Sequence, residues 1–166
     1  QLAGDLPFPV LLKTIGNGLS GRTMRKIVGM PIAGIEASGA GGTSWARVEA
    51  RRSGDAGVDE LFGDWGETTA DSILAVRQSL SHLPLIASGG ISSGVDVALA
   101  LALGADLAGL ARPLLQAAKE GEEALVERLE RIGREIQIAC FYAGVGRVDD
   151  LDHSVLRDGN PPPGPA

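Results

Sequence analysis

Paired glycines, a few hydroxyls and one lysine are the residues of this chain best suited to chemistry. Leu85-Ile-Ala-Ser-Gly-Gly-Ile-Ser-Ser-Gly94 is a short apolar run that breaks into two glycines and then a helix start, Ser93-Gly-Val-Asp96. Gly89 and Gly90 carry no Cβ, so backbone there can come close to a ligand, and the helix that follows turns its positive end toward the same point. Phosphate is the ligand such a loop suits; plain strand-to-helix packing is the other use of the same glycines. Lys13 ends the apolar run Val10-Leu-Leu, and either pairs with a phosphate or an anionic ring atom of a cofactor, or carries its ammonium out to solvent. Ser38, Thr43 and Ser44 place hydroxyls in the glycine loop Ser38-Gly-Ala-Gly-Gly-Thr-Ser-Trp45, serving a flat ligand or the turn itself.

Acid-base machinery is not visible. His82 sits in a helix-to-strand turn beside Leu83-Pro84, and His153 lies in a polar segment near the end. Asp64 with Glu67, and Glu49 with Glu60, have no His or Cys company of the kind a transition-metal site needs, and read as solvated surface. Cys140 stands in the apolar run Ile136 to Tyr142 and reads as a small core residue. As the sole cysteine it cannot form an internal disulfide.

The elements that must position these residues alternate. Strands begin near Val10, Ile32, Leu85 and Leu107; helices are capped by Ser20 and by Thr68 or Thr69, and span Asp96 to Gly104. Ala111 to Ala118 reads as a short helix and Glu122 to Ala143 as a long amphipathic one, with the stripe Leu125, Leu129, Ile132, Ile136, Ala139. Arg52 to Gly66 has no period and reads as a long loop. Alternating strand and helix predict an α/β fold with a parallel sheet. The last units, with Ala111-Arg112-Pro113 opening a helix, resemble the end of a TIM barrel, where the loops after strands 7 and 8 form the usual phosphate site. The 166 residues are too few for the about 250 of a whole (β/α)8 barrel, so the expectation is its C-terminal four units over 1–146. A polar, Pro-rich tail over 147–166 is expected to be disordered.

A net charge of −6 argues against a nucleic-acid partner. Glycine or charge interrupts every apolar segment before the roughly 20 residues of a membrane span, and the start, Gln-Leu-Ala-Gly-Asp, lacks the features of a signal peptide. The expected location is the cytoplasm.

Ser38-Gly-Ala-Gly-Gly-Thr-Ser-Trp-Ala-Arg-Val-Glu49, Asp64-Trp-Gly66, Ile86 to Gly94, Ala100-Leu-Ala-Leu-Gly-Ala105 and Ala111-Arg-Pro113 together resemble the C-terminal half of type 2 isopentenyl-diphosphate isomerase, from about Pro9 to Gly146. The Gly-Ala-Gly-Gly-Thr-Ser-Trp run is the most specific part; the second glycine motif is shared by FMN-binding barrels in general. The resemblance implies an isomerase that interconverts isopentenyl and dimethylallyl diphosphate with reduced FMN and Mg2+, NADPH serving as reductant. It implies that Lys13 contacts the flavin ring, Ser38 and Thr43 line the cofactor, Gly89, Gly90 and Ile91 bind its phosphate, and Ala111 with Arg112 close that site. Catalytic and metal-binding groups are then expected on the flavin and in the family's N-terminal half, and this chain alone is expected to be inactive. One departure is Gly66-Glu67-Thr68-Thr69, where family members have Gly-Ile-Pro-Thr. A half-barrel exposes a sheet face and strand edges, which implies a homo-oligomer or the missing half as partner. The alternatives are an FMN-dependent oxidoreductase of the 2-hydroxy-acid oxidase kind, which would need a histidine in the loop Ser38 to Trp45, and a non-catalytic half-barrel that binds phosphate or flavin.

Overall fold

Short apolar runs make the strands, and their pairing sets everything else. In the computed structural model, which describes residues 2–156, the chain runs α1 (Leu2–Asp5), β1 (Leu11–Lys13), α2 (Gly21–Ile27), β2 (Gly34–Ser38), α3 (Trp45–Ser53), α4 (Ala56–Phe62), α5 (Thr69–Ser79), β3 (Leu85–Ser88), α6 (Gly94–Ala102), β4 (Leu107–Ala108), α7 (Arg112–Glu120) and α8 (Glu122–Ala143). Two 3-10 turns follow, Val148–Asp150 and His153–Val155. The four strands are all parallel and lie in sequence order, β1-β2-β3-β4. A doubly wound sheet reverses its strand order at a switch point. This sheet does not, and so has the topology of a barrel segment.

Alternation along the strands divides the sheet into two faces. Ile35, Ala37, Leu85 and Ala87 are completely buried and join Met24, Ile73, Val76 and Val97 of the helices in the main core. Their neighbours Glu36, Ser38, Ile86 and Ser88, in register with Lys13 and Leu107, point to the other side. There Leu11 is 55% and Leu107 61% exposed. Among the described residues the sheet is covered on one face only.

Local chemistry fixes the helix ends. Ser20, Ser44, Thr68 and Ser93 each accept a backbone N–H of the first turn of the helix they precede, and Asp96 completes a capping box with Ser93. α8 lies against α6, and its Glu135 accepts the Gly94 N–H at 2.7 Å. Arg77 of α5 donates to the carbonyls of Leu83, at 2.7 Å, and Gly104, and pairs with Asp106, which itself accepts Leu85 N–H. That clamp fixes where β3 and β4 begin.

Two expectations are corrected. Arg52 to Gly66 is not a structureless loop: α3 continues to Ser53, Gly54 ends it in the left-handed region, and Asp55 starts α4 by accepting Gly57 and Val58 N–H. α4 escaped notice because it has only seven residues and half-exposed apolar positions, Leu61 being 71% exposed. The polar tail expected from residue 147 begins with ordered turns. Leu151 is buried with Ala98, Ala102 and Cys140, and Val155 and Leu156 pack on them. The Pro-rich residues 160–166 lie outside the described residues.

Candidate functional site

The C-terminal ends of β1, β2, β3 and β4 open into one cleft of about 570 Å³. Every residue singled out from the sequence as cofactor-binding lines it: Lys13, Ser38, Thr43, Gly89, Gly90, Ile91, Ala111 and Arg112. Residues almost a hundred positions apart meet there because parallel strands all deliver their following loops to the same edge.

Lys13 and Glu36 are register partners on β1 and β2, and their side chains form an ion pair. Ser88 of β3 donates to the same Glu36 oxygen at 2.8 Å. Burial works against the charge of Glu36, but the Lys13 ammonium and the Ser88 hydroxyl outweigh it and hold the carboxyl below its ordinary value. Glu36 therefore stays ionised and fixes the lysine at the cleft floor. The Ser38 and Thr43 hydroxyls have no protein partner among the described residues, whereas Ser44 is taken up as the cap of α3.

The two glycine loops hold each other. Gly89 and Gly90 have φ of 94° and 80°, and a Cβ on Gly89 would overlap the backbone of Gly39. A Cβ on Gly42 would come within 2.9 Å of Gly90 N. These glycines serve close loop-to-loop packing as much as approach to a ligand. The α6 N-terminus differs from the expected open phosphate site. Ser92 and Ser93 N–H both donate to Asp96, at 2.9 and 3.0 Å, and Gly94 N–H to Glu135. Burial works against the charge of Asp96, but the hydrogen bonds from Ser92 and Ser93 overcome it and hold the carboxyl below its ordinary value. Among the cleft amides with no acceptor in the described residues are those of Gly89, Gly90 and Ile91, just before the helix, and of Arg112 at the start of α7. α7 has no side-chain cap, and Pro113 lies in its first turn. Phosphate fits this arrangement: uncommitted amides, the positive end of α7 and the Arg112 guanidinium share one cleft.

Glu36, Ser88, Ile15 and Trp45 also line the cleft and were not singled out from the sequence. Glu36 had a readable signal, since Ile35-Glu36-Ala37-Ser38 alternates apolar and polar, and Trp45 closes the glycine motif, but Ile15 carries none. Of the carboxylates weighed outside the cleft, Glu49 pairs with Arg52 and Asp64 with Arg47. Among the described residues no three His, Cys, Asp or Glu are placed to hold a metal ion, and no helix is long and apolar enough to cross a membrane.

Comparison with known proteins bears on these features. The chain is 48% identical over 157 residues to an isopentenyl-diphosphate delta-isomerase of Nostoc sp. (strain PCC 7120 / SAG 25.82 / UTEX 2576), covering 93% of this chain and 45% of that protein. It is 49% identical over 146 residues to the isopentenyl-diphosphate delta-isomerase of Stutzerimonas stutzeri (strain A1501), covering 86% and 42%. The chain thus spans less than half the length of the curated relatives it matches. Among solved structures, an (S)-mandelate dehydrogenase superposes with a TM-score of 0.72 at 21% identity, over 94% of this chain and 38% of the other. A mandelate oxidase superposes with a TM-score of 0.63 at 27% identity, over 86% and 40%. The family model described as FMN-dependent dehydrogenase matches residues 1–158. Sheet order, glycine loops and phosphate-type cleft agree with that match, and the chain belongs to the FMN-dependent dehydrogenase family.

Proposed function

We propose that this chain forms the flavin-phosphate side of an enzyme that interconverts isopentenyl diphosphate and dimethylallyl diphosphate, using reduced FMN, Mg2+ and a nicotinamide reductant such as NADPH, in the cytoplasm. The observation that carries the reading is the single cleft lined by Lys13, Ser38, Thr43, Gly89, Gly90, Ile91, Ala111 and Arg112. Similarity to isopentenyl-diphosphate delta-isomerases at 48% and 49% identity supports this activity over that of a hydroxy-acid oxidase. The cleft also holds no histidine to act as the base an oxidase needs.

In this reading Gly89, Gly90 and Ile91 hold the cofactor phosphate, and Ala111 with Arg112 closes the site beside them. Lys13, kept in place by Glu36 and Ser88, presents a fixed positive charge toward the flavin ring, and the Ser38 and Thr43 hydroxyls donate to it. Bound reduced flavin supplies the acid-base chemistry that the side chains of the cleft lack. The magnesium ligands come from residues outside this chain, so the chain alone gives no turnover.

The test is an isomerisation assay on the complete protein carrying this chain, with FMN, Mg2+ and reductant present and each withheld in turn. Turnover that requires reduced flavin supports the reading. Turnover undiminished without flavin overturns it.

A further inference from the structure

A second cavity of about 730 Å³ lies beside the flavin cleft and shares Gly41, Gly42, Thr43 and Arg112 with it. Three arginines line it, Arg47 and Arg51 of α3 and Arg112 of α7, against a single carboxylate, Asp64. Arg47 is committed, pairing with Asp64 at 2.6 Å and facing Asp59 at 3.7 Å. Arg51 and Arg112 make no ion pair among the described residues, although Arg52 next to Arg51 is paired with Glu49. The chain carries a net charge of −6, so carboxylates are in excess, yet two arginines without an ion-pair partner among the described residues line one cavity. Guanidinium forks match phosphate oxygens in geometry and charge.

We infer that this cavity is a second anion site, formed by Arg51 and Arg112, which takes the phosphate groups of a small molecule other than the flavin. Arg112 stands in the wall between the two chambers and serves both; Arg51 belongs to the second alone. The source of the phosphate is either an alkenyl diphosphate substrate or a nicotinamide dinucleotide. In naming those two sources the inference rests on the function proposed above; the anion site does not.

The experiment uses the complete protein saturated with FMN, so that the flavin-phosphate position is filled, and titrates inorganic diphosphate by calorimetry. One diphosphate per chain is expected, weakened about tenfold or more in Arg51→Gln, since one charge-assisted contact is lost. Arg51→Lys should recover part of the affinity, and flavin affinity, read by fluorescence quenching, should be unchanged in both variants. Arg51 is exposed on α3, so these changes leave the core intact. Absence of diphosphate binding by the wild type, or equal binding by Arg51→Gln, overturns the inference. Repeating the titration with isopentenyl diphosphate and with NADPH identifies the source, because Arg51→Gln weakens only the ligand that uses the cavity. Diphosphate binding that depends on Arg51 in a protein without isomerase activity would sink the proposed function and leave the anion site standing.

Discussion

Glu36 shows how much a single side chain can organise. It pairs with Lys13 across β1–β2 and receives Ser88 from β3, so one carboxylate joins three strands at the floor of the cleft. Its pKa in the folded protein lies below the ordinary value of 4.5, and its contribution to stability is therefore full above that value and lost as pH falls through the lowered one. Glu36→Gln should flatten the acid limb of the stability curve below about pH 5, read as urea midpoints between neutral and acid pH; an unchanged acid limb would remove Glu36 from this role. Gly89 makes a second case. With φ at 94° and the Gly39 backbone where a Cβ would sit, Gly89→Ala should cost about 3 kcal/mol or more and weaken flavin binding together with stability. Chemical denaturation checks the first effect and flavin fluorescence the second.

At the level of elements, the site depends on where β3 and β4 start, and Arg77 of α5 decides that. Its guanidinium ties the Leu83 and Gly104 carbonyls to Asp106, whose carboxylate also accepts Leu85 N–H. Arg77→Ala strips partners from two carbonyls and leaves Asp106 without its counter-ion, a loss of about 2–3 kcal/mol in a denaturant titration. Arg77→Lys should recover little, since a point charge cannot reach three acceptors at once. The contrast between α6 and α7 belongs to this scale as well. Both begin beside the cleft, but Asp96 and Glu135 occupy the first amides of α6, whereas α7 starts without a side-chain cap. The helix that looks better suited to an anion from sequence is the one already satisfied.

For the whole molecule the one-sided sheet dominates. Ile35, Ala37, Leu85 and Ala87 are sealed under helices, while Leu11 and Leu107 stand more than half exposed on the opposite face and β1 and β4 offer unpaired edges. Such a surface associates. The 166-residue chain purified by itself should run larger than a monomer in light scattering, and a monodisperse monomer with no tendency to aggregate would contradict this view of the sheet.

The sequence by itself determined the strand-helix alternation, the helix caps at Ser20 and at Thr68 or Thr69, and the glycine-broken strand ends, because each of these rests on neighbouring residues and short-range backbone chemistry. It also carried the eight cleft residues, through motifs that are local in the chain. Glu36 as the anchor of Lys13, the mutual packing of Gly39 to Gly42 against Gly89 and Gly90, and the use of the α6 amides by Glu135 were decided only in three dimensions. Each joins segments tens of residues apart, and strand register and helix docking, which bring such segments together, leave no mark in either segment alone.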